Sequence, residues 1–176
     1  MTSNTHVSLV TSVAEALLQH GWMLSTAESC TGGLIAGTCT DVSGSSEWFE
    51  RGFVTYSNEA KHDMLGVPNE LIEQHGAVSE AVVQAMAIGA MRHSLAQVSL
   101  AVTGVAGPTG GSRDKPVGTV WFAWATPSDT GPTLGAETAW VKSEVKRFAG
   151  SRQEVREQTV AHSLHVLHEL LRLRKG

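Results

Sequence analysis

The chain has 176 residues, of which 41% are hydrophobic and 17% are charged, and its formal net charge is -4. This length and composition favour one globular domain over residues 1–176 and exclude an intrinsically disordered chain. The negative charge argues against a nucleic-acid partner, because a large nucleic-acid footprint requires clustered Lys and Arg.

Two cysteines, Cys30 and Cys39, are too few for a disulfide scaffold in a chain of this length. The N-terminal segment has no basic stretch followed by an apolar one, so no signal peptide is expected. Apolar runs are far shorter than the roughly 20 residues that span a bilayer. We therefore expect a cytoplasmic protein without a membrane partner.

The first third of the chain predicts a helix, a strand and a second helix. Apolar residues recur at helical spacing over residues 7–20, and Gly21 ends that helix. Residues 22–27 are typical of a short strand. A polar, glycine-bearing turn over 28–33 separates this strand from a helix over 34–40.

The next segment carries a loop to Ser46, a turn of helix over 47–50 and a strand over 52–56. Ser57 is a good N-cap for a helix from Asn58 to about Leu65. A short helix over 68–74 follows, and Ser79 caps the next one.

The last part of the chain predicts three strands and a long helix. The strands are expected over 98–103, 117–125 and 134–141, the first of them central because both its faces are apolar. Ser151 and Glu154 form a capping box for a helix that runs to about Leu173. Helices alternating with strands, followed by an antiparallel pair, predict an α/β fold: a single layered domain with a mixed β-sheet covered by helices.

Three polar loops adjoin the predicted strands: residues 28–33, residues 44–46 together with 56–61, and residues 103–111. In open α/β sheets, ligands bind in crevices beyond the carboxyl ends of strands. If the loops converge they form one site, and the alternative is that their glycines and serines only make turns.

Ser46, Tyr56 and Lys61 could together make an acyl-transfer site. A serine hydroxyl needs a base to become nucleophilic, and a lysine can be that base if burial lowers its pKa. Tyr56 could relay a proton or orient the serine. The alternatives are a solvated lysine and an aromatic packed in the core.

Cys30 is the rival nucleophile, because it precedes a predicted helix whose dipole would lower the thiol pKa. Eight histidines could serve as its base, and no pattern selects one. No cluster of His, Cys, Asp or Glu has the spacing of metal ligands, so we expect no metal and no cofactor.

Two further loops and a basic cluster could bind substrate. Backbone N–H groups at residues 29–33 suit a phosphate or carboxylate, and the loop over 103–108 could supply an oxyanion hole. Arg147, Arg152 and Arg156 cluster before and within the last helix. Either all three are solvated or paired on the surface, or Arg147 binds a phosphate.

Several of these segments carry a recognisable pattern that covers about residues 7–171. The motifs are TAESCTGG (26–33), GSS (44–46), GFVTYSNEAK (52–61), HGAVSE (75–80), TGVAGP (103–108), GG (110–111) and KPVGTV (115–120). In these motifs the chain resembles the C-terminal domain of the competence/damage-inducible protein CinA, and more narrowly the stand-alone nicotinamide-mononucleotide amidohydrolases of that family.

The resemblance implies hydrolysis of the carboxamide of nicotinamide mononucleotide by a serine amidase without metal. It implies that Ser46 is the nucleophile, Lys61 its base and Tyr56 a helper. The substrate-binding residues that it implies are Ser29, Thr31, Gly32, Asn58, Thr103, Gly104, Gly107 and Arg147.

Two alternatives to a serine amidase stay open: an amidase that depends on Cys30, and a nucleotide-binding or interaction module without catalysis. Three tryptophans in the predicted hairpin, Trp121, Trp124 and Trp140, could form an exposed apolar face or belong to the core. Because symmetric homo-oligomers are common, we expect a dimer or a higher homo-oligomer.

Overall fold

A computed structural model describes residues 4–128 and 136–174, in which helices and strands alternate through the first half of the chain. The helices are α1 (Asn4–His20), α2 (Leu34–Thr40), α3 (Asn58–Leu65), α4 (Asn69–His75), α5 (Glu80–Arg92) and α6 (Arg152–Leu173). The strands are β1 (Leu24–Glu28), β2 (Phe49–Val54), β3 (Val98–Gly104), β4 (Thr119–Pro127) and β5 (Ala139–Arg147). In these residues no helix is both long and apolar enough to cross a membrane.

The strands form one five-stranded sheet in the order β2-β1-β3-β4-β5. β1 pairs in parallel with both β2 and β3, while β4 is antiparallel to β3 and to β5. The predicted mixed sheet is therefore confirmed. β2, β1 and β3 are parallel, and β4 and β5 are each antiparallel to the strand before them.

Each face of the sheet is covered by its own group of helices. Leu17 of α1, Ile35 of α2 and Leu164 of α6 pack in one apolar cluster, and α3, α4 and α5 pack in a second cluster on the other face. In β3, Leu100 belongs to the first cluster and Ala101 to the second. Both faces of this strand are buried, as predicted for a central strand.

Serine hydroxyls begin three of the helices at the predicted positions. Ser57 accepts a hydrogen bond from the Ala60 N–H at 3.0 Å, and Ser79 caps α5 in the same way. Ser151 forms a complete capping box with Glu154 at the start of α6. These caps satisfy backbone N–H groups that a helix cannot satisfy internally, and so fix where α3, α5 and α6 start.

The bounds of two predicted strands and one predicted turn differ most from the structure. β2 starts at Phe49 instead of residue 52, because parallel pairing with β1 extends to the Leu24–Phe49 register. The predicted turn is a 3-10 turn over Ser45–Glu47, which precedes β2. β5 pairs with β4 along its whole length and so reaches Arg147, whereas residues 134 and 135 of the predicted strand lie outside the described residues.

The connections on either side of β1 lie on opposite faces of the sheet. The chain passes from β1 to β2 through α2 on one face, and from β2 to β3 through α3, α4 and α5 on the other. Crevices open at the carboxyl end of a strand where neighbouring crossovers diverge in this way. The fold thus places a crevice directly beyond β1.

Candidate active site

The cleft beyond β1 has a cavity volume of about 220 Å³. Most of its wall comes from segments that follow the parallel strands and from the turn before α5. The lining residues are Ser29, Cys30, Tyr56, Asn58, Lys61, Ala77, Val78, Thr103, Gly104, Ala106 and Arg152. Of the three predicted loops, the segments over 28–33, 56–61 and 103–111 therefore converge here, whereas residues 44–46 do not line the cleft.

Lys61 brings a buried amine to this cleft, with an exposure of only 1%. Its Nζ lies 3.1 Å from Ser29 Oγ and 2.9 Å from the Thr55 carbonyl oxygen. The carbonyl oxygens of Tyr56 and Ser57 are at 3.2 and 3.4 Å. The chain folds back over Lys61 at the start of α3, and this turn directs the amine at Ser29.

Burial lowers the pKa of Lys61 below the ordinary value of 10.5, since a charged amine loses its hydration there. A neutral amine has two N–H groups, which the carbonyls of Thr55 and Tyr56 can accept. In that form its lone pair can accept the hydroxyl hydrogen of Ser29, whereas the charged amine donates to Ser29 Oγ. The arrangement therefore suits a lysine that removes a proton from this serine.

Ser29 directly follows β1 and is 8% exposed. Its backbone N–H donates to the Val102 carbonyl at 3.1 Å, which continues the pairing of β1 with β3. Its carbonyl accepts from the Gly32 N–H at 3.1 Å, which closes a tight turn. Both peptide groups are thus fixed, and the hydroxyl stands at the floor of the cleft beside Lys61.

The structure does not show the predicted contact between Ser46 and Lys61. Ser46 lies in the exposed turn before β2, whereas Lys61 lies beyond the carboxyl end of the same strand. The six residues of β2 separate the two ends by about 20 Å, at about 3.3 Å per residue. Ser29, predicted only to bind substrate, holds the position beside Lys61.

Cys30 does not have the lowered thiol pKa that was predicted for it. Burial raises the pKa of this thiol from 9.0 to about 11, and the Glu28 carboxylate acts in the same direction. Cys30 precedes α2 by four residues and so lies outside its first turn. The thiol lines the cleft but stays protonated near neutral pH.

Side chains of β3 and of the loop after it hold another wall of the cleft. Thr103 is 1% exposed and donates its hydroxyl hydrogen to the Ala77 carbonyl at 2.8 Å. Lys115 donates to the His75 carbonyl at 2.7 Å, and so joins the loop after β3 to the turn before α5. A Cβ at Gly104 would lie 2.8 Å from the Thr119 carbonyl oxygen, so only glycine fits there.

Arg152 supplies the exposed cation at the mouth of the cleft. Its guanidinium donates to the Gly107 carbonyl at 2.8 Å and to the Tyr56 hydroxyl at 3.1 Å. Two of the five guanidinium N–H groups are thereby engaged, and the others remain for a ligand. Tyr56 is 61% exposed at this rim, so it lies at the entrance and not beside Ser46.

Arg147, the predicted phosphate ligand, does not line the cleft. It is the exposed last residue of β5, on the edge of the sheet, where it pairs with Thr119. Arg152 lies five residues later, at the first position of α6. The capping box turns the chain there, and this turn brings Arg152 to the cleft while leaving Arg147 on the edge strand.

The other predicted substrate residues divide into two groups. Asn58, Thr103 and Gly104 line the cleft beside Ser29. Thr31 and Gly32 shape the turn after Ser29, and Gly107 shapes the loop after β3. Gly107 has a φ of +82°, and a Cβ there would lie 2.4 Å from Val117 Cγ1, which accounts for glycine at this position.

Sequence reasoning missed Arg152 and the apolar wall formed by Ala77, Val78 and Ala106. The available signal for Arg152 was its position directly after the N-cap Ser151, because the first turn of a helix lies next to the loops at that end of the helix. In residues 4–128 and 136–174, no three His, Cys, Asp or Glu side chains are gathered closely enough to hold a metal ion.

Comparisons with known proteins cover nearly the whole chain. The family model of the CinA C-terminal domain matches residues 6–171. The nicotinamide-nucleotide amidohydrolase PncC of Escherichia coli K12 is 50% identical over 167 residues, which are 95% of each chain. PncC of Pseudomonas putida is 50% identical over 163 residues, 93% of this chain and 95% of that protein.

Solved structures agree with this assignment. The crystal structure of the competence/damage inducible protein CihA from Agrobacterium tumefaciens is 42% identical, with a TM-score of 0.87 over 97% of this chain and 98% of that one. The competence damage-inducible protein A from Klebsiella pneumoniae is 38% identical, with a TM-score of 0.88 over 98% and 100% of the two chains. The chain therefore belongs to the family of the CinA C-terminal domain.

Proposed function

We propose that this chain hydrolyses the carboxamide of nicotinamide mononucleotide to nicotinate mononucleotide and ammonia. Ser29 is the nucleophile, Lys61 is its base, and no metal takes part. The observation that carries the proposal is the 3.1 Å separation between Lys61 Nζ and Ser29 Oγ in the cleft. The identity of about 50% to the two PncC amidohydrolases over nearly the whole chain supports the reaction and its substrate.

The reaction begins when neutral Lys61 removes the hydroxyl proton of Ser29. The serine oxygen attacks the carboxamide carbon, and the carbonyl oxygen becomes an oxyanion. Backbone N–H groups of the turn after Ser29 stabilise this charge, and each such donor typically contributes about 3 kcal/mol. The protonated Lys61 then gives its proton to the amide nitrogen, and the carbon–nitrogen bond breaks to release ammonia.

The acyl-enzyme is cleared by the same two groups acting in the opposite direction. Lys61 removes a proton from water, and the resulting hydroxide attacks the ester carbon. The second tetrahedral intermediate collapses, and Ser29 leaves with the proton that Lys61 returns. Neither step needs a group beyond Ser29, Lys61, water and the oxyanion donors.

Arg152 takes the role first given to Arg147 and binds the phosphate of the substrate. Its hydrogen bonds to Gly107 and Tyr56 fix the plane of the guanidinium, and so orient the N–H groups that these bonds do not use. A planar guanidinium suits bidentate contact with phosphate oxygens. Tyr56 thus orients Arg152 at the rim and has no part in moving protons at Ser29.

The test compares Ser29→Ala with Ser46→Ala in an assay of ammonia release from nicotinamide mononucleotide. Ser29→Ala should lower kcat by at least two to three orders of magnitude, because removal of an attacking nucleophile leaves only binding and electrostatics. Ser46→Ala, a matched change in an exposed turn, should keep kcat within about threefold of the wild type.

Three outcomes would contradict the proposal in different ways. Near-normal turnover by Ser29→Ala would overturn the nucleophile, and a dead Cys30→Ala would transfer that role to the thiol. A wild-type chain that is thermally stabilised by nicotinamide mononucleotide but releases no ammonia is a binding module and not an amidase.

A further inference from the structure

Arg156 lies on α6, one helical turn after Arg152, and holds the turn that follows Ser29. Its Nε donates to the Cys30 carbonyl at 3.1 Å, and its Nη2 donates to the Thr31 carbonyl at 2.9 Å. These carbonyls belong to the two residues after the proposed nucleophile, and more than a hundred positions of sequence separate them from Arg156. The side chain is half-buried, and it was first predicted to be a surface residue.

The carbonyl contacts determine where the neighbouring N–H groups point. In a trans peptide the C=O and the N–H of one peptide unit point in opposite directions. Because the Cys30 carbonyl is turned towards α6, the Thr31 N–H of the same unit is turned away from α6. Among the described residues this N–H has no acceptor, whereas the next one, from Gly32, already donates to the Ser29 carbonyl at 3.1 Å.

The opposite side of the same turn is held by a buried carboxylate. Glu28 is fully buried, and its two oxygens accept from the Ile35 and Ala36 N–H groups, each at 2.9 Å. Glu28 therefore fixes the turn to α2, and Arg156 fixes it to α6. With both clamps in place, the peptide between Cys30 and Thr31 has one orientation before substrate arrives.

We infer that Arg156 is a positioning residue that presents the Thr31 N–H to the oxyanion formed on Ser29. The inference rests on the proposed function, because only an attack by Ser29 creates that oxyanion. A planar fork is needed to bind two successive carbonyls at once, and a lysine ammonium could hold only one of them with comparable geometry. Arg156 is not among the residues that line the cleft, so its effect on the reaction passes through the peptide.

The test uses the full chain with Arg156→Lys, Arg156→Ala and the matched control Arg172→Ala on the exposed face of α6. The two Arg156 variants should lower kcat about 10- to 100-fold and change KM by less than about threefold, since the loss falls on transition-state stabilisation. Arg172→Ala should leave both constants unchanged. Added guanidinium should restore part of the activity of Arg156→Ala.

A second measurement separates positioning from a general loss of structure. The aldehyde analogue of the substrate should form a tetrahedral adduct with Ser29 and so need the oxyanion donors, whereas an analogue without the carboxamide, the 5′-phosphate of ribosylpyridinium, has no oxygen to place there. In the Arg156 variants the affinity for the aldehyde should fall in parallel with kcat, and the affinity for the analogue without the carboxamide should stay within about threefold.

Two results would overturn the inference alone. One is an Arg156→Lys variant with kcat within twofold of the wild type, and the other is an equal loss of affinity for the aldehyde and for the analogue without the carboxamide. If the wild-type chain releases no ammonia, the proposed function and this inference fail together. If Ser29→Ala is inactive while Arg156→Lys is fully active, only the positioning role fails.

Discussion

The protonation of Lys61 should set how the activity depends on pH. Burial lowers the pKa of this amine below 10.5, and only the neutral amine can accept the proton of Ser29. The neutral fraction grows as pH rises through the lowered pKa, so kcat/KM for nicotinamide mononucleotide should rise with pH and then level off. The measurement is a pH–rate profile of the wild-type chain over the range in which it stays folded.

The matched control for this profile is Lys61→Arg, which keeps a cation in the cleft. A guanidinium stays charged throughout the accessible range, so it cannot act as the base. This variant should lose at least two orders of magnitude in kcat and show no recovery at high pH. A wild-type profile that falls as pH increases from neutral would contradict the role of Lys61 as base.

Cys30 offers a second residue-scale prediction, because its thiol lies next to Ser29 but differs from it in chemistry. The pKa of about 11 leaves very little thiolate near neutral pH, and the thiolate is the reactive form. Alkylation of Cys30 by iodoacetamide at pH 7.5 should therefore be slow, and Cys30→Ala should retain turnover within about tenfold. Mass spectrometry of the treated chain gives the alkylation rate.

If instead Cys30 is alkylated rapidly and this abolishes ammonia release in proportion to labelling, the burial argument is wrong. Cys39 serves as the internal control, since it is fully buried and its pKa is raised by burial even further.

At the scale of elements, the position of Lys61 depends on how closely α3 approaches α5. Gly89 of α5 faces the last residue of α3, and a Cβ there would lie 2.1 Å from the Leu65 carbonyl oxygen. Gly89→Ala should therefore push α3 outward and lower the free energy of unfolding by about 1–3 kcal/mol. Chemical denaturation measures this loss, and kcat should fall as well because α3 carries Lys61.

Gly37→Ala is the matched control, since Gly37 also lies within a helix but its Cβ would meet nothing within 4 Å. Replacing a glycine by alanine at an open helical position normally stabilises by about 0.5–1 kcal/mol. Equal effects of the two substitutions would show that the contact between Gly89 and Leu65 does not limit the packing of α3.

Comparison of sequence and structure at this scale shows what local patterns determine. The caps at Ser57, Ser79 and Ser151 were predicted because each depends on residues within one turn of the helix it starts. The start of β2 was missed because it depends on pairing with β1, a contact between distant parts of the sequence. Where a strand begins and ends depends more on the strands that pair with it than on its own residues.

The same difference explains the error over Ser46. Residues 46 and 61 are close in sequence, but a parallel strand carries its two ends to opposite edges of the sheet. Ser29 is farther from Lys61 in sequence and yet meets it, because β1 and β2 are parallel neighbours whose carboxyl ends share one edge. Spacing along the chain identified the right lysine but could not identify its partner.

For the whole molecule, the homo-oligomer stays a prediction, and fewer of the tryptophans now support it. Trp124 is fully buried and donates its indole N–H to the Ser163 carbonyl at 2.9 Å, so it belongs to the core. Trp121 is partly buried, and Trp140 keeps an exposure of 44% on the edge strand. The three tryptophans therefore do not form one exposed apolar face. Of the three, only Trp140 is exposed, on the edge strand β5.

The cleft is built from an early and a late segment of the sequence, around Ser29 and Arg152, and this has a consequence for synthesis on the ribosome. The turn after β1 is made early, but Arg152 and Arg156 arrive only with α6, more than a hundred residues later. Until the last helix has emerged, a nascent chain lacks Arg152 at the mouth of the cleft and Arg156 at the turn after Ser29. Truncated products of translation should thus remain without turnover, and complete synthesis becomes a condition for activity.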